Sequence, residues 1–130
     1  MRVLANGCFD YLHYGHLRHL QAASKLGDFL IVSVTNDEFV NKGPGRPMFK
    51  SYQRASMLRA LRCVDEVILV DGLLEALERT KPDILVKGKE YEGKMEFDHT
   101  YFCRKNDIKI VFTDEPVYSS TKIINELGSR

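Results

Sequence analysis

Phe29-Leu30-Ile31-Val32-Ser33-Val34 is apolar at nearly every position. A strand with one face in water alternates apolar and polar residues, whereas a near-continuous apolar run belongs to a sheet covered on both faces. The stretch therefore predicts a parallel sheet sandwiched by helices, and the flanking sequence supports it. Upstream, Val3-Leu4-Ala5 reads as a short first strand. Leu17, Leu20 and Ala23 then recur at helical spacing, with Gly27 as a stop. Downstream, Gly43, Pro44, Gly45 and Pro47 interrupt regular structure across residues 36–50, and Lys42, Arg46 and Lys50 make that loop basic. Ser51 is a suitable N-cap for a helix through Met57, Leu58 and Leu61. Strand Glu66–Val70, helix Leu73–Leu77 and strand Asp83–Val86 follow, the last placed after Pro82. A glycine-bearing loop covers Lys87–Gly93, a helix spans Met95–Lys105, and a strand spans Ile108–Phe112. A final helix starts at Ser119 or Ser120 and runs to Leu127.

Strand and helix thus alternate about five times, which calls for parallel strands joined by right-handed crossovers. The expected architecture is α/β: one domain over residues 1–130, a Rossmann-like, doubly wound, five-stranded parallel sheet with flanking helices. Such sheets bind ligands at the carboxyl ends of their strands, near the point where strand order reverses. The informative loops are then 6–16, 36–50, 87–93 and 113–121.

The 130 residues are 44% apolar and 28% charged, with net charge +1. That balance carries no broad electrostatic footprint for nucleic acid or an acidic membrane, so an anion site has to be local. Cys8, Cys63 and Cys103 are odd in number and far apart. They suggest neither a disulfide framework nor a zinc knuckle, and fit reduced thiols in a cytoplasmic protein. The chain opens on a strand-like run rather than a leader pattern, and no apolar run approaches the roughly 20 residues of a membrane span.

Three segments carry chemistry. The first is Asn6-Gly7-Cys8-Phe9-Asp10-Tyr11-Leu12-His13-Tyr14-Gly15-His16, between a strand and a helix. Gly15 is expected to permit a sharp turn and close backbone approach. His16 falls in the first helical turn, where free N–H groups and the helix dipole favour an anion. Capping remains the ordinary alternative for such histidines, and zinc is a weak one because only Asp10 is near as a third ligand. His19 and His99 read as surface or capping residues. The second segment, Tyr118-Ser119-Ser120-Thr121, follows a strand and opens a helix, suited either to capping or to phosphate. The third is the basic loop, in which Lys42 offers a point charge and Arg46 a fork that can close over polyphosphate.

His13-Tyr14-Gly15-His16, preceded by Asn6-Gly7-Cys8-Phe9-Asp10, resembles the HxGH signature of the nucleotidylyltransferase superfamily. Ser119-Ser120-Thr121-Lys122-Ile123 resembles that superfamily's second signature, and the resemblance covers nearly the whole chain. Two subfamilies compete. Lys42-Gly43-Pro44-Gly45-Arg46-Pro47, Gln53-Arg54 and Leu85-Val86-Lys87-Gly88-Lys89-Glu90-Tyr91 are similar to segments of the adenylyltransferase domain of ADP-heptose synthases. Thr35–Phe39, Arg62–Ile68 and Glu92-Gly93-Lys94 resemble the glycerol-3-phosphate cytidylyltransferases. Those enzymes carry an arginine shortly before the second signature, where Asp114 stands here.

The resemblance implies transfer of AMP from ATP to a heptose-1-phosphate-like sugar, releasing pyrophosphate. CTP with glycerol 3-phosphate or a related polyol phosphate is the alternative, and a non-catalytic nucleotide-binding module is another class. It implies catalytic roles for His13, His16 and Lys42, and nucleotide contacts at Asn6, Gly7, Cys8, Phe9, Gly15, Lys87, Gly88, Tyr91, Ser119, Ser120 and Thr121. Within that set the Lys87–Tyr91 loop falls near the base and ribose. Asp10, Arg46 and Arg54 are the implied acceptor contacts. Mg²⁺ would bridge the phosphates, with no protein metal site. A homodimer is implied, and a separate sugar kinase would supply the acceptor. Neither nucleic acid nor a membrane is expected as a partner.

Overall fold

The computed structural model describes residues 1–40, 47 and 49–113. Among them, five strands form one all-parallel sheet: β1 (Arg2–Gly7), β2 (Phe29–Thr35), β3 (Glu66–Val70), β4 (Ile84–Gly88) and β5 (Lys109–Thr113). Their order is β3-β2-β1-β4-β5, so the direction of winding reverses between β1 and β4. The sheet is the doubly wound, Rossmann-like one expected from the 29–34 run. The helices are α1 (Tyr14–Ser24), α2 (Ser51–Arg59), α3 (Leu73–Thr80) and α4 (Phe97–Lys105). Short 3₁₀ turns cover Asp37–Phe39 and Lys89–Tyr91.

The pleat sorts the strand residues onto two cores. Val3, Ala5, Leu30, Val32, Val34, Ile84 and Val86 face α1 and α2, where Leu20, Ala23, Ala55 and Leu58 meet them. Leu4, Ile31, Val70 and Leu85 face α3 and α4, against Leu73, Ala76, Leu77 and Cys103. Both faces are dry, which is why β2 reads as an unbroken apolar run. At the amino ends of the strands, carboxylates close backbone donors: Asp65 accepts from Leu30 N–H at 2.8 Å and Asp83 from Arg2 N–H at 2.8 Å.

Several element ends differ from the sequence expectation. Lys50, not Ser51, is the N-cap of α2. Its N–H donates to Gln53 Oε1 at 2.9 Å, a back-reach from the third helical position. That helix stops at Arg59, short of Leu61, which still packs on the first core. Helix α3 continues past Leu77 to Thr80 and is closed by Lys81 in the left-handed region, φ 42°. Helix α4 begins at Phe97 rather than Met95. Strand β4 takes in Lys87 and Gly88, which pair with Phe112 and Thr113 of β5, so these two are strand residues rather than loop. The expected last helix, with Asp114, lies outside the described residues.

Candidate active site

Strand β1 ends at Gly7, and the chain turns sharply two residues later. The turn is at Phe9, φ 51°, not at Gly15, which is the second residue of α1 and buried. A non-glycine residue there is strained, and packing offsets the strain. The Phe9 ring is only 6% exposed and meets the His16 ring edge-on at 5.2 Å. Gly7 makes room for it, since a Cβ there would lie 2.9 Å from Phe9 Cε2.

The two histidines cap their own helix. Nδ1 of His13 accepts from Gly15 N–H at 3.1 Å, and Nδ1 of His16 accepts from His13 N–H at 3.3 Å. They form a reciprocal capping box built from imidazoles. The capping and ligand readings of these residues are therefore compatible: capping engages Nδ1, and the ligand reading concerns Nε2. A ring whose Nδ1 lone pair receives a backbone N–H carries its proton on Nε2. Both histidines are accordingly Nε2–H donors. The rings stack at 3.8 Å between centroids, a spacing that opposes two cations side by side.

The loop bearing the histidines is braced to the chain that follows the basic segment. The Asp10 carboxylate, 1% exposed, accepts from Phe49 N–H at 3.0 Å, and Tyr11 meets the Phe49 ring edge-on at 5.6 Å. Arg54 is fully buried. It donates from Nε to Phe49 O at 3.0 Å, from one terminal nitrogen to Cys8 O at 2.7 Å, and from the other to Asp37 Oδ1 at 2.7 Å. Arg54 and Asp10 were expected to contact the acceptor. With its guanidinium enclosed and spent on two carbonyls and a carboxylate, Arg54 is instead a strut between loops, and Asp10 braces the same junction. Lys42 and Arg46 lie outside the described residues, as do Ser119, Ser120 and Thr121.

His19 is not a plain surface residue: its Nδ1 lies 3.0 Å from Thr113 Oγ1, joining α1 to the carboxyl end of β5. His99 also departs from expectation. It is half-buried, sits 3.8 Å from a Glu96 carboxylate oxygen, and lines a cavity of about 380 Å³. That cavity lies at the carboxyl ends of the strands on the α3/α4 face, with Asn6, Gly72, Lys87 and Tyr91 also in its wall. Lys87 is 9% exposed, and its Nζ sits 4.2 Å from the Tyr91 ring centroid. Burial pushes the Lys87 ammonium below the usual lysine range, against the pull of nearby Glu90. Burial also raises the Tyr91 phenol and the Cys63 and Cys103 thiols. Among the described residues, no three His, Cys, Asp or Glu side chains are grouped to hold a metal ion, and no helix is long and apolar enough to cross a membrane.

The family comparison matches residues 4–126 to the cytidylyltransferase-like family. The chain belongs to that family. Among its relatives, the bifunctional protein HldE of Campylobacter fetus is 42% identical over 130 residues, covering 96% of this chain and 27% of that protein. HldE of Nitratiruptor sp. is 48% identical over 96 residues, covering 71% of this chain and 21% of the relative. The chain thus spans about a quarter of the length of these relatives. A crystal structure of a lipopolysaccharide core biosynthesis protein from Thermoplasma volcanium superposes with TM-score 0.74 at 31% identity, covering 90% of this chain and 98% of that one. TmcAL of Thermotoga maritima, solved with alpha-thio ATP, shares the fold at TM-score 0.71 and 17% identity, covering 99% of this chain and 50% of that one. The family and the HldE relatives support a nucleotidyltransferase role.

Proposed function

We propose that residues 1–130 form a nucleotidylyltransferase domain that transfers AMP from ATP to a heptose-1-phosphate-like sugar 1-phosphate, giving an ADP-sugar and pyrophosphate. The observation that carries the reading is the imidazole capping box at the start of α1: two Nε2–H donors beside a helix N-terminus, directly after the first strand. The HldE relatives favour ATP and a sugar phosphate over CTP and a polyol phosphate.

An acceptor phosphate oxygen attacks the α-phosphorus of ATP, and the bond to the bridging oxygen of the β-phosphate breaks. The acceptor is already anionic near neutral pH, so no base is required. The reaction needs anions neutralised, an in-line approach, and donors placed where charge develops on the leaving pyrophosphate. His13 and His16 supply those donors at the α- and β-phosphates. As neutral Nε2–H groups they donate without having to take a proton. Lys42 closes over the triphosphate, Ser119, Ser120 and Thr121 hold its β- and γ-phosphates, and Arg46 reaches a phosphate of either substrate. Asn6, Gly7, Cys8 and Phe9 line the nucleotide side along the turn out of β1, and Gly88 flanks it from β4. A Mg²⁺ bound mainly by substrate phosphate oxygens and water would neutralise charge there. A kinase acting on the sugar, within a longer protein like HldE or as a separate one, would supply the acceptor, and a homodimer is the proposed assembly.

The test is pyrophosphate release with each of the four nucleoside triphosphates against a panel of sugar 1-phosphates and polyol phosphates. Turnover with ATP and a sugar 1-phosphate supports the proposal. Turnover confined to CTP and glycerol 3-phosphate would replace it, and nucleotide binding without turnover on any acceptor would mark a non-catalytic module.

A further inference from the structure

The pleat that builds the α3/α4 core places a polar row at its upper end. Leu4, Ile31 and Leu85 are core residues on that face; two positions further along their strands stand Asn6, Ser33 and Lys87. Asn6 pairs with Ser33 in register, and Leu4 pairs with Leu85, so the three lie level across β2, β1 and β4. Asn6 Nδ2 donates to Ser33 Oγ at 2.8 Å. Lys87 has no such contact: among the described residues its ammonium has no hydrogen-bond acceptor and no ion pair at contact distance; it meets the face of Tyr91, with the Glu90 carboxylate nearby but outweighed by burial. A nine-tenths-buried cation of this kind is costly unless a ligand supplies the counter-charge.

The ammonium opens into the 380 Å³ cavity, whose size falls within the range for small-molecule sites. The opposite walls come from Gly72 at the start of α3 and from Glu96 and His99 around the start of α4. Leu73 and Met95 make the wall partly apolar, and exposed Lys94 adds a second cation at the rim. Cations at the floor and rim, an amide, a carboxylate and an imidazole around them suit a phosphorylated polyhydroxyl compound better than a flat base. The histidine pair stands on α1, which covers the other face of the sheet.

We propose that this cavity binds the phosphorylated acceptor, with Lys87 paired to its phosphate, so that acceptor and triphosphate come from opposite sides of the β1–β4 edge. The proposal rests on the transfer reading given above and moves Lys87 and Tyr91 from the nucleotide to the acceptor. Asn6 sits between the two substrates. Lys87 is then the specificity contact for the acceptor phosphate, and Glu96 and His99 read its hydroxyls.

Two variants test it independently. Lys87→Met removes the charge at similar length, and Lys87→Arg restores it. Gly72→Leu fills the cavity without touching Lys87, because Gly72 is in extended backbone and a Cβ there meets nothing within 4 Å. Calorimetry on the unaltered protein and the variants would use glucose 1-phosphate, glycerol 3-phosphate, inorganic phosphate and ATP as separate ligands, with steady-state assays wherever turnover exists. The expected result is a loss of at least about 10-fold in affinity or KM for the phosphorylated acceptor in Lys87→Met and Gly72→Leu. ATP affinity stays within about 2-fold, and Lys87→Arg recovers most of the loss. The preference between glucose 1-phosphate and glycerol 3-phosphate tells sugar from polyol. Equal or greater loss for ATP, unchanged acceptor binding in both variants, or no binding of any of the three phosphates to the unaltered protein overturns the proposal. If those phosphates bind in a Lys87-dependent way but nothing is turned over, the transfer reading fails while the cavity assignment stands.

Discussion

Gly7 shows how a single missing Cβ reaches the site. A methyl group there would meet the buried Phe9 ring at 2.9 Å, and that ring supports the edge of His16. Gly7→Ala is expected to cost about 1–3 kcal/mol of stability, as overpacking does, read as a lowered denaturation midpoint. It should also lower kcat through His16, and unchanged stability with unchanged kcat would mean that the loop tolerates the shift. The place of the histidine pair between a strand and a helix was legible in the sequence, because the apolar run of β1 precedes it and helical spacing resumes at Leu17. The turn at Phe9 was not, because no local signal marks an aromatic residue for a left-handed backbone. Arg54 was misread for a different reason: its partners lie 5, 17 and 46 residues away, at Phe49, Asp37 and Cys8, and only the folded chain brings them together.

Element interiors follow from periodicity, whereas element ends depend on partners that the local sequence does not contain. Strand Glu66–Val70 emerged with its expected bounds, since apolar strand and turn residues mark both ends. Strand β4 ended two residues later than expected because β5 offers register partners as far as Thr113. That extension matters to function, as it turns Lys87 from a loop residue into a fixed position on the α3/α4 face. The end of α3 offers a clean test. Lys81 is exposed with φ 42°, a conformation that glycine adopts without steric cost. Lys81→Gly should raise stability by about 1 kcal/mol, visible as a higher denaturation midpoint with unaltered kcat. A lower midpoint would show that Lys81 makes a contact worth more than the backbone strain.

At the scale of the whole molecule, the doubly wound sheet separates two tasks by face. The α1 side carries the histidine pair, and the α3/α4 side carries the cavity; both lie near the point where winding reverses between β1 and β4. The faces could be drawn from strand parity alone, but the cavity could not, because its wall needs α4 and the Lys89–Tyr91 turn placed over the sheet. Arg54 links the loop after β1, the turn after β2 and the chain entering α2. Arg54→Ala leaves partly exposed Asp37 and two carbonyls without their donor and empties a fully enclosed site, a loss of about 2–4 kcal/mol. Urea titration should show that loss. A variant as stable as the parent would mean that Arg54 is not the strut described.

The central claim is that His16 stabilises charge in the transition state. The most direct measurement is single-turnover pyrophosphate release by His16→Ala at saturating ATP and acceptor, beside ATP binding by calorimetry. The expected result is a rate lower by about 100–1000-fold, as for loss of one donor to developing charge, with ATP affinity changed far less. A variant that turns over at the normal rate once ATP is saturating, having lost only affinity, would contradict the claim.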